Sequence, residues 1–127
     1  MSDTPGPGFY PGKAPIESYG RGGFRFAGMS HRGSLLCLPS GISAWPVTQV
    51  DEISAATLAR VFAEADAIDH FLLGSGRESW LIPEDLRWRF RDHRIVVESM
   101  STGAAVRTYN IVLGEGRRVA AGLIAVE

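Results

Sequence analysis

The residues best placed for chemistry lie in two short loops. Gly74-Ser75-Gly76 and Ser99-Met100-Ser101-Thr102-Gly103 each follow an apolar run of strand character. In open α/β sheets, ligands gather beyond the carboxyl ends of parallel strands, where helix N-termini present unpaired amides. Small residues admit a ligand to the backbone, and the hydroxyls of Ser75, Ser101 and Thr102 could join amide donors around an anion or a carbonyl oxygen. Gly74, Ser75, Gly76, Ser101 and Thr102 therefore form a candidate crevice for a small molecule or anion. The same residues also end strands and cap helices without any ligand, and such a position does not by itself confer function.

Sharper signatures are missing. Gly74-Ser75-Gly76-Arg77-Glu78-Ser79 has serine where the dinucleotide fingerprint needs its third glycine, and Pro83, the expected helix start, comes too late. Gly114-Glu115-Gly116 follows a helical stretch instead of a strand. There is no Gly-Lys-Ser/Thr phosphate loop, and Ser75 lacks the glycine spacing of a hydrolase nucleophile elbow. His31, His70 and His93 have no metal-ligand spacing. Asp66 and Asp69 cluster with His70, but a polar helix-to-strand loop explains them more cheaply, and no nucleophile or oxyanion donors accompany them. Cys37 sits inside an apolar run, where a thiol behaves as a small buried hydrophobe with a raised pKa. The expectation is no catalytic residue, no metal and no cofactor.

Arg87 to Arg94, with Trp88 and Phe90 interleaved, is a stretch that nucleic acid could use through charge and stacking. A formal net charge of -1, from 13 basic and 14 acidic side chains, argues against that and against an anionic membrane surface. On a helix Trp88 points nearly opposite to Leu86, which leaves an aromatic among arginines, a composition typical of protein interfaces. Trp45, held out of helical geometry by Pro46, is the second interface candidate.

The elements that must position these residues follow from period and punctuation. Ile16 to Tyr19 and Phe24 to Phe26 flank Gly20-Arg21-Gly22-Gly23 as a hairpin. Ser30-His31-Arg32-Gly33 reads as a polar break before a buried strand, Leu35 to Leu38, that ends at Pro39-Ser40-Gly41. From Ser54, the expected N-cap, Leu58, Val61, Phe62 and Ala65 share a helical face. Ile68 to Leu73 is a strand, and the stretch beyond it is long enough for a crossover helix that Pro83, Glu84 and Asp85 begin. Leu86, Trp88 and Phe90 alternate with arginines in strand fashion, but Leu86 and Phe90 also stand four apart after a good helix start, and helix is the reading taken. Ile95 to Glu98 is a parallel partner strand. Thr102 caps a helix that Gly114 stops, and Arg118 to Val126 is the last strand.

This order predicts an α/β fold: a compact three-layer single domain with a mixed central sheet, an N-terminal hairpin region and βαβ crossovers. Residues 1–14, rich in proline and glycine, read as a flexible leader, and residues 15–127 as one domain. A hydrophobic content of 45% with 21% charged residues is ordinary for a globular chain. No apolar run reaches the roughly 20 residues of a membrane span. A single cysteine permits no internal disulfide, so a reducing cytoplasm is the default compartment. A two-fold homodimer is the expected oligomer on general frequency alone.

From Glu98 onward the chain resembles a known family. Glu98-Ser99-Met100-Ser101-Thr102-Gly103-Ala104-Ala105-Val106-Arg107-Thr108-Tyr109-Asn110, continuing to Glu115, Arg117, Val119, Ala120 and Leu123, is similar to the C-terminal signature of the mitochondrial complex I assembly factor 3-like family. That family is a domain of unknown function with bacterial and archaeal members. Gly33 to Pro39 with Gly41 and Trp45, and Phe71 to Gly76, resemble its other two blocks in the same order. The resemblance spans about Ile16 to Val126 and implies the same compact three-layer α/β domain.

It also implies a non-catalytic protein-binding role in assembling a respiratory or other membrane complex, with subunits of that complex as partners and a location peripheral to the inner membrane through them. No catalytic residues carry over. Arg107, Tyr109, Asn110, Glu115 and Arg117 are nominated as signature residues. Ser101 stands where the family often has aspartate, which weakens any acid chemistry at that loop. Ala105, Tyr109 and Val112 form one packed stripe on the signature helix, while Arg107 and Asn110 share a neighbouring face, and Glu115 with Arg117 suits an ion pair in the following turn.

Overall fold

The computed structural model describes residues 10–127. Most of the expected leader, residues 1–9, lies outside that range. The remainder of it is anchored: Tyr10 exchanges two 2.8 Å backbone hydrogen bonds with Ile42, and Ala14 is buried.

Among the described residues eight strands and three α-helices follow one another, with two short 3-10 turns at Val50–Glu52 and Ala65–Ala67. Strands β1 (Ile16–Gly20), β2 (Gly23–Phe26) and β3 (Met29–Arg32) form an antiparallel sheet. The turns between them are two residues long, and Arg21-Gly22 and Ala27-Gly28 have positive φ at both positions. That geometry matches the twist of a hairpin. Strand β3 falls on the segment expected to be a polar break. Only His31 of its residues faces inward, so it carries no apolar alternation.

The five-stranded sheet contains β4 (Ser34–Leu38), β5 (Gly41–Trp45), β6 (His70–Gly74), β7 (Val96–Met100) and β8 (Val119–Leu123), in the order β5-β4-β8-β6-β7. Strand β6 is parallel to both β7 and β8, and β4 is antiparallel to β5 and β8. The mixed sheet is as expected, with β8 at its centre.

Alternate residues of these strands feed two cores. Leu36, Leu38, Phe71 and Leu73 pack under α1 (Ala59–Ala63) and α2 (Glu84–Asp92). Leu35, Cys37, Leu72 and Leu123 pack under α3 (Thr102–Gly114) and the three-stranded sheet, which supplies Ile16, Phe24 and Phe26. The result is three layers.

Helix boundaries differ from expectation for local reasons. Residues 54–57 do not open α1. The Thr57 hydroxyl accepts from the Ser54 amide at 2.8 Å and the Thr57 carbonyl accepts the Trp45 indole N–H at 2.8 Å, which holds a turn there and delays the helix to Ala59. Ser101, not Thr102, caps α3, its hydroxyl accepting from the Ala104 amide at 3.3 Å.

Helix α3 does end at Gly114, and Gly116 beyond it provides the left-handed residue, with φ +76°, while the Arg117 and Gly116 amides donate to Val112 and Leu113. Helix α2 closes with the same motif. The Ile95 amide donates to Phe90 and the Arg94 amide to Arg91, and the left-handed position is held by Arg94 at φ +60°.

Candidate functional site

The two loops of the expected crevice do come together, but they bind each other. The Thr102 amide donates to the Gly76 carbonyl at 2.7 Å, and the Ile124 amide to the Gly74 carbonyl at 2.9 Å. The fully buried Thr102 hydroxyl accepts from the Gly76 amide at 3.0 Å and donates to the Ile124 carbonyl at 2.7 Å. The Ser75 hydroxyl lies 2.5 Å from the Glu78 carbonyl and 3.0 Å from that of Met100.

Gly74 has no space to offer a ligand. A Cβ there would stand 3.0 Å from the Thr102 Cα and 3.2 Å from the Ala105 Cβ, so the glycine lets α3 sit directly on the sheet. Among the described residues no buried side-chain polar atom lacks a partner, so no buried side-chain donor is left over for a ligand in this crevice.

The signature residues divide by role. Tyr109 is buried, with its phenol beside the Cys37 thiol. Burial pushes the Cys37 thiol up to about 12, a shift the neighbouring Tyr109 phenol opposes, and burial raises the Tyr109 phenol as well. Neither group is a nucleophile near neutral pH.

Asn110 ties α3 to β1, accepting from the Ile16 amide and donating to the Ile16 carbonyl, both at 2.8 Å. Sequence spacing could not reveal this, because its partner is backbone. Glu115 and Arg117 form the expected ion pair, at 3.5 Å and more than half exposed. Arg107 is exposed beside a shallow depression that Tyr19 borders. The Tyr19 hydroxyl lies over the Cα of Gly103, where any Cβ would displace it. Asp69 does not serve His70. Its carboxylate accepts from the Arg118 guanidinium at 2.9 and 3.2 Å, which lowers its pKa.

The tryptophans separate cleanly. Trp45, nominated for an interface, is 3% exposed, packed in the core with its indole N–H satisfied by Thr57. It has no surface to offer a partner. Trp88 is 51% exposed, with Arg91 stacked over its ring at 5.1 Å. It is exposed because Leu86 and Phe90 take the inward face of α2, Phe90 stacking on Phe71 at 5.3 Å.

Trp88 lines a groove of about 510 Å³ between α2 and β7, with Arg87, Arg91 and Arg94 on its wall and Glu84 at one end. Strand β7 is the terminal strand of its sheet, and Val96 on it is 52% exposed. At the opposite edge, Tyr10 pairs with β5.

These features define a three-layer α/β domain whose two expected ligand loops are joined by hydrogen bonds beside a depression of about 320 Å³ that Gly76 and Ser101 line, and which carries a cationic, aromatic groove at a sheet edge. The chain belongs to a family described as a protein of unknown function (DUF498/DUF598), which matches residues 16–124. An uncharacterised protein of Rhodobacter capsulatus is 39% identical over 93% of this chain and 89% of its own length. The NADH dehydrogenase [ubiquinone] 1 alpha subcomplex assembly factor 3 of Danio rerio is 29% identical over 86% of this chain. The matched region spans 63% of that protein's length.

Among solved structures, a Bartonella henselae protein described as an outer membrane protein is 51% identical, with a TM-score of 0.89 over 93% of this chain and 99% of that one. A Bordetella pertussis protein described as an Mth938-like domain is 25% identical, with a TM-score of 0.77 over 87% of this chain and 85% of that one. The fold is thus Mth938-like. Among the described residues no helix is long and apolar enough to cross a membrane.

Proposed function

We propose that this domain works by protein contact, without catalysis, as an assembly factor for a respiratory or other membrane complex. It acts in the cytoplasm, held at the inner membrane by its partners. The observation that carries this reading is Trp88, half exposed in an arginine-lined groove beside an open sheet edge. Exposed aromatics flanked by arginine are the residues on which binding energy concentrates at protein interfaces. Relatives named as assembly factors of NADH dehydrogenase support the kind of complex involved.

The test is affinity capture from detergent-solubilised membranes of the native organism, with quantitative mass spectrometry and a Trp88→Ala bait as control. Enrichment of respiratory-complex or other membrane-complex subunits that falls with Trp88→Ala supports the reading. A bait that emerges alone, or a set of captured proteins indifferent to Trp88, overturns it.

A further inference from the structure

We infer that the α2–β7 groove takes an extended, acidic segment of the partner protein, which adds to the sheet as a further strand beside β7. The inference rests on the protein-contact reading above and gives that contact a chemistry.

Three observations carry it. The first is the state of the two sheet edges. The outer edge of β5 is engaged by Tyr10 through two backbone hydrogen bonds, whereas among the described residues β7 pairs only with β6. An uncovered edge presents a row of backbone donors and acceptors that an extended chain can complete.

The second is charge. Arg87, Arg91 and Arg94 stand along the groove against the single carboxylate of Glu84, and among the described residues none of the three arginines is in an ion pair. Side chains of an added strand alternate between the faces of the sheet. On the α2 face, where Val97 points, they would meet these arginines and Trp88. On the other face they would meet the exposed Val96 and Glu98, where an apolar side chain adds no second carboxylate beside Glu98. The matching segment therefore alternates carboxylates with apolar residues. A second copy of this chain is a poor occupant, because two-fold pairing of β7 with itself would bring the two α2 arginine rows together on one face.

The third is Arg94 itself. Helices α2 and α3 close with the same hydrogen-bond pattern, yet α3 has Gly116 at the left-handed position and α2 has Arg94. A side chain is disfavoured there, and such local strain clusters at functional positions. The departure places a third guanidinium at the mouth of the groove.

The probe is a blocked peptide of about ten residues alternating glutamate with valine. It is titrated into the full-length, isotope-labelled chain and followed by backbone amide and Trp88 indole resonances. Two controls are the lysine–valine counterpart and the glutamate–valine peptide N-methylated along its pairing edge. The inference expects saturable shifts over Val96 to Glu98 and at Trp88, weakened by about tenfold or more in Arg87→Glu Arg91→Glu. It also expects loss of binding on N-methylation and none with lysine.

No binding, equal binding of the lysine peptide, or binding indifferent to the arginines or to N-methylation overturns it. So does displacement of the peptide by a single-stranded oligonucleotide that binds the groove more tightly, or self-association that Val96→Arg abolishes. Capture of membrane-complex subunits by the Arg87→Glu Arg91→Glu bait, but not by Trp88→Ala, would sink the acidic strand alone and leave the protein-contact reading standing.

Discussion

Asn110 holds both backbone polar groups of Ile16, 94 positions away, with two hydrogen bonds of 2.8 Å. One amide side chain thereby completes the start of β1 and fixes the three-stranded sheet against α3. Ile16 itself is buried, so the pair lies at the margin of the second core. Asn110→Ala should lower stability by about 1–3 kcal/mol, since it strands a donor and an acceptor. Asn110→Asp retains only the acceptor and should fall between the two. Urea unfolding, with amide exchange at Ile16 as the local readout, checks both.

The closed loops make a second prediction. Thr102→Val preserves shape but removes the hydroxyl that serves Gly76 and Ile124, and should cost about 2–3 kcal/mol. Gly74→Ala pushes against the backbone of Thr102 and should cost about 1–3 kcal/mol. Gly103→Ala meets only the tip of the Tyr19 side chain and should be tolerated, with Tyr19 swinging outward. Thermal melts of the three variants should rank in that way. A ligand search at the crevice should give no saturable binding.

The buried Cys37–Tyr109 pair predicts behaviour at high pH. Both groups have folded-state pKa values above their unfolded ones, so the stability they contribute is full below the unfolded values, near 9 for the thiol and 10 for the phenol, and is lost as pH rises through them. Stability should therefore decline from about pH 9 upward, and less steeply in Cys37→Ala. At pH 8 the native thiol should react with a disulfide reagent only as fast as the protein opens. Rapid labelling of the folded chain would contradict the packing described.

Asp69 predicts the opposite sign. Arg118 lowers its folded pKa, so the pair's contribution is present above the unfolded carboxylate pKa and is lost as pH falls through the folded value. Both partners are exposed, so salt should mask most of the effect. A proton titration of Asp69 by NMR in wild type and Arg118→Ala, at low and high salt, reads it directly.

Arg94→Gly separates stability from binding. Glycine relieves the left-handed backbone and should raise stability by about 1 kcal/mol. The same change removes a guanidinium from the groove and should weaken the acidic peptide. A variant that melts higher and binds less well is the expected result.

Much of the architecture was legible in the chain. The change of period from Ile68 onward, with Pro83 and the carboxylates after it, located β6, α2, β7, α3 and β8, and the spacing of Leu86 and Phe90 left Trp88 outward. What failed to show had physical causes. Strand β3 has one inward residue, so pairing with β2 fixes it and no apolar pattern announces it. Trp45 reads as surface or core with equal ease until Thr57 supplies a carbonyl for its indole. Gly74-Ser75-Gly76 resembles a ligand loop because small residues look alike whether a ligand or a helix fills the space they leave. The groove at β7 was half visible: its arginines and Trp88 stood out, but the sheet edge beside them is a property of strand order.

The central place of β8 governs how the molecule is made. Strands β4 and β6 share no hydrogen bonds with each other and meet only through β8, the last of the eight in chain order. During synthesis the β4–β5 hairpin and the β6–α2–β7 unit must wait as separate pieces, each with an unpaired inner edge, until Val119–Leu123 has left the ribosome. Joining them is a long-range event, slow relative to local hairpins and helices. The interval exposes two sticky edges at once, and truncation or stalling before β8 should yield aggregates instead of a smaller folded domain.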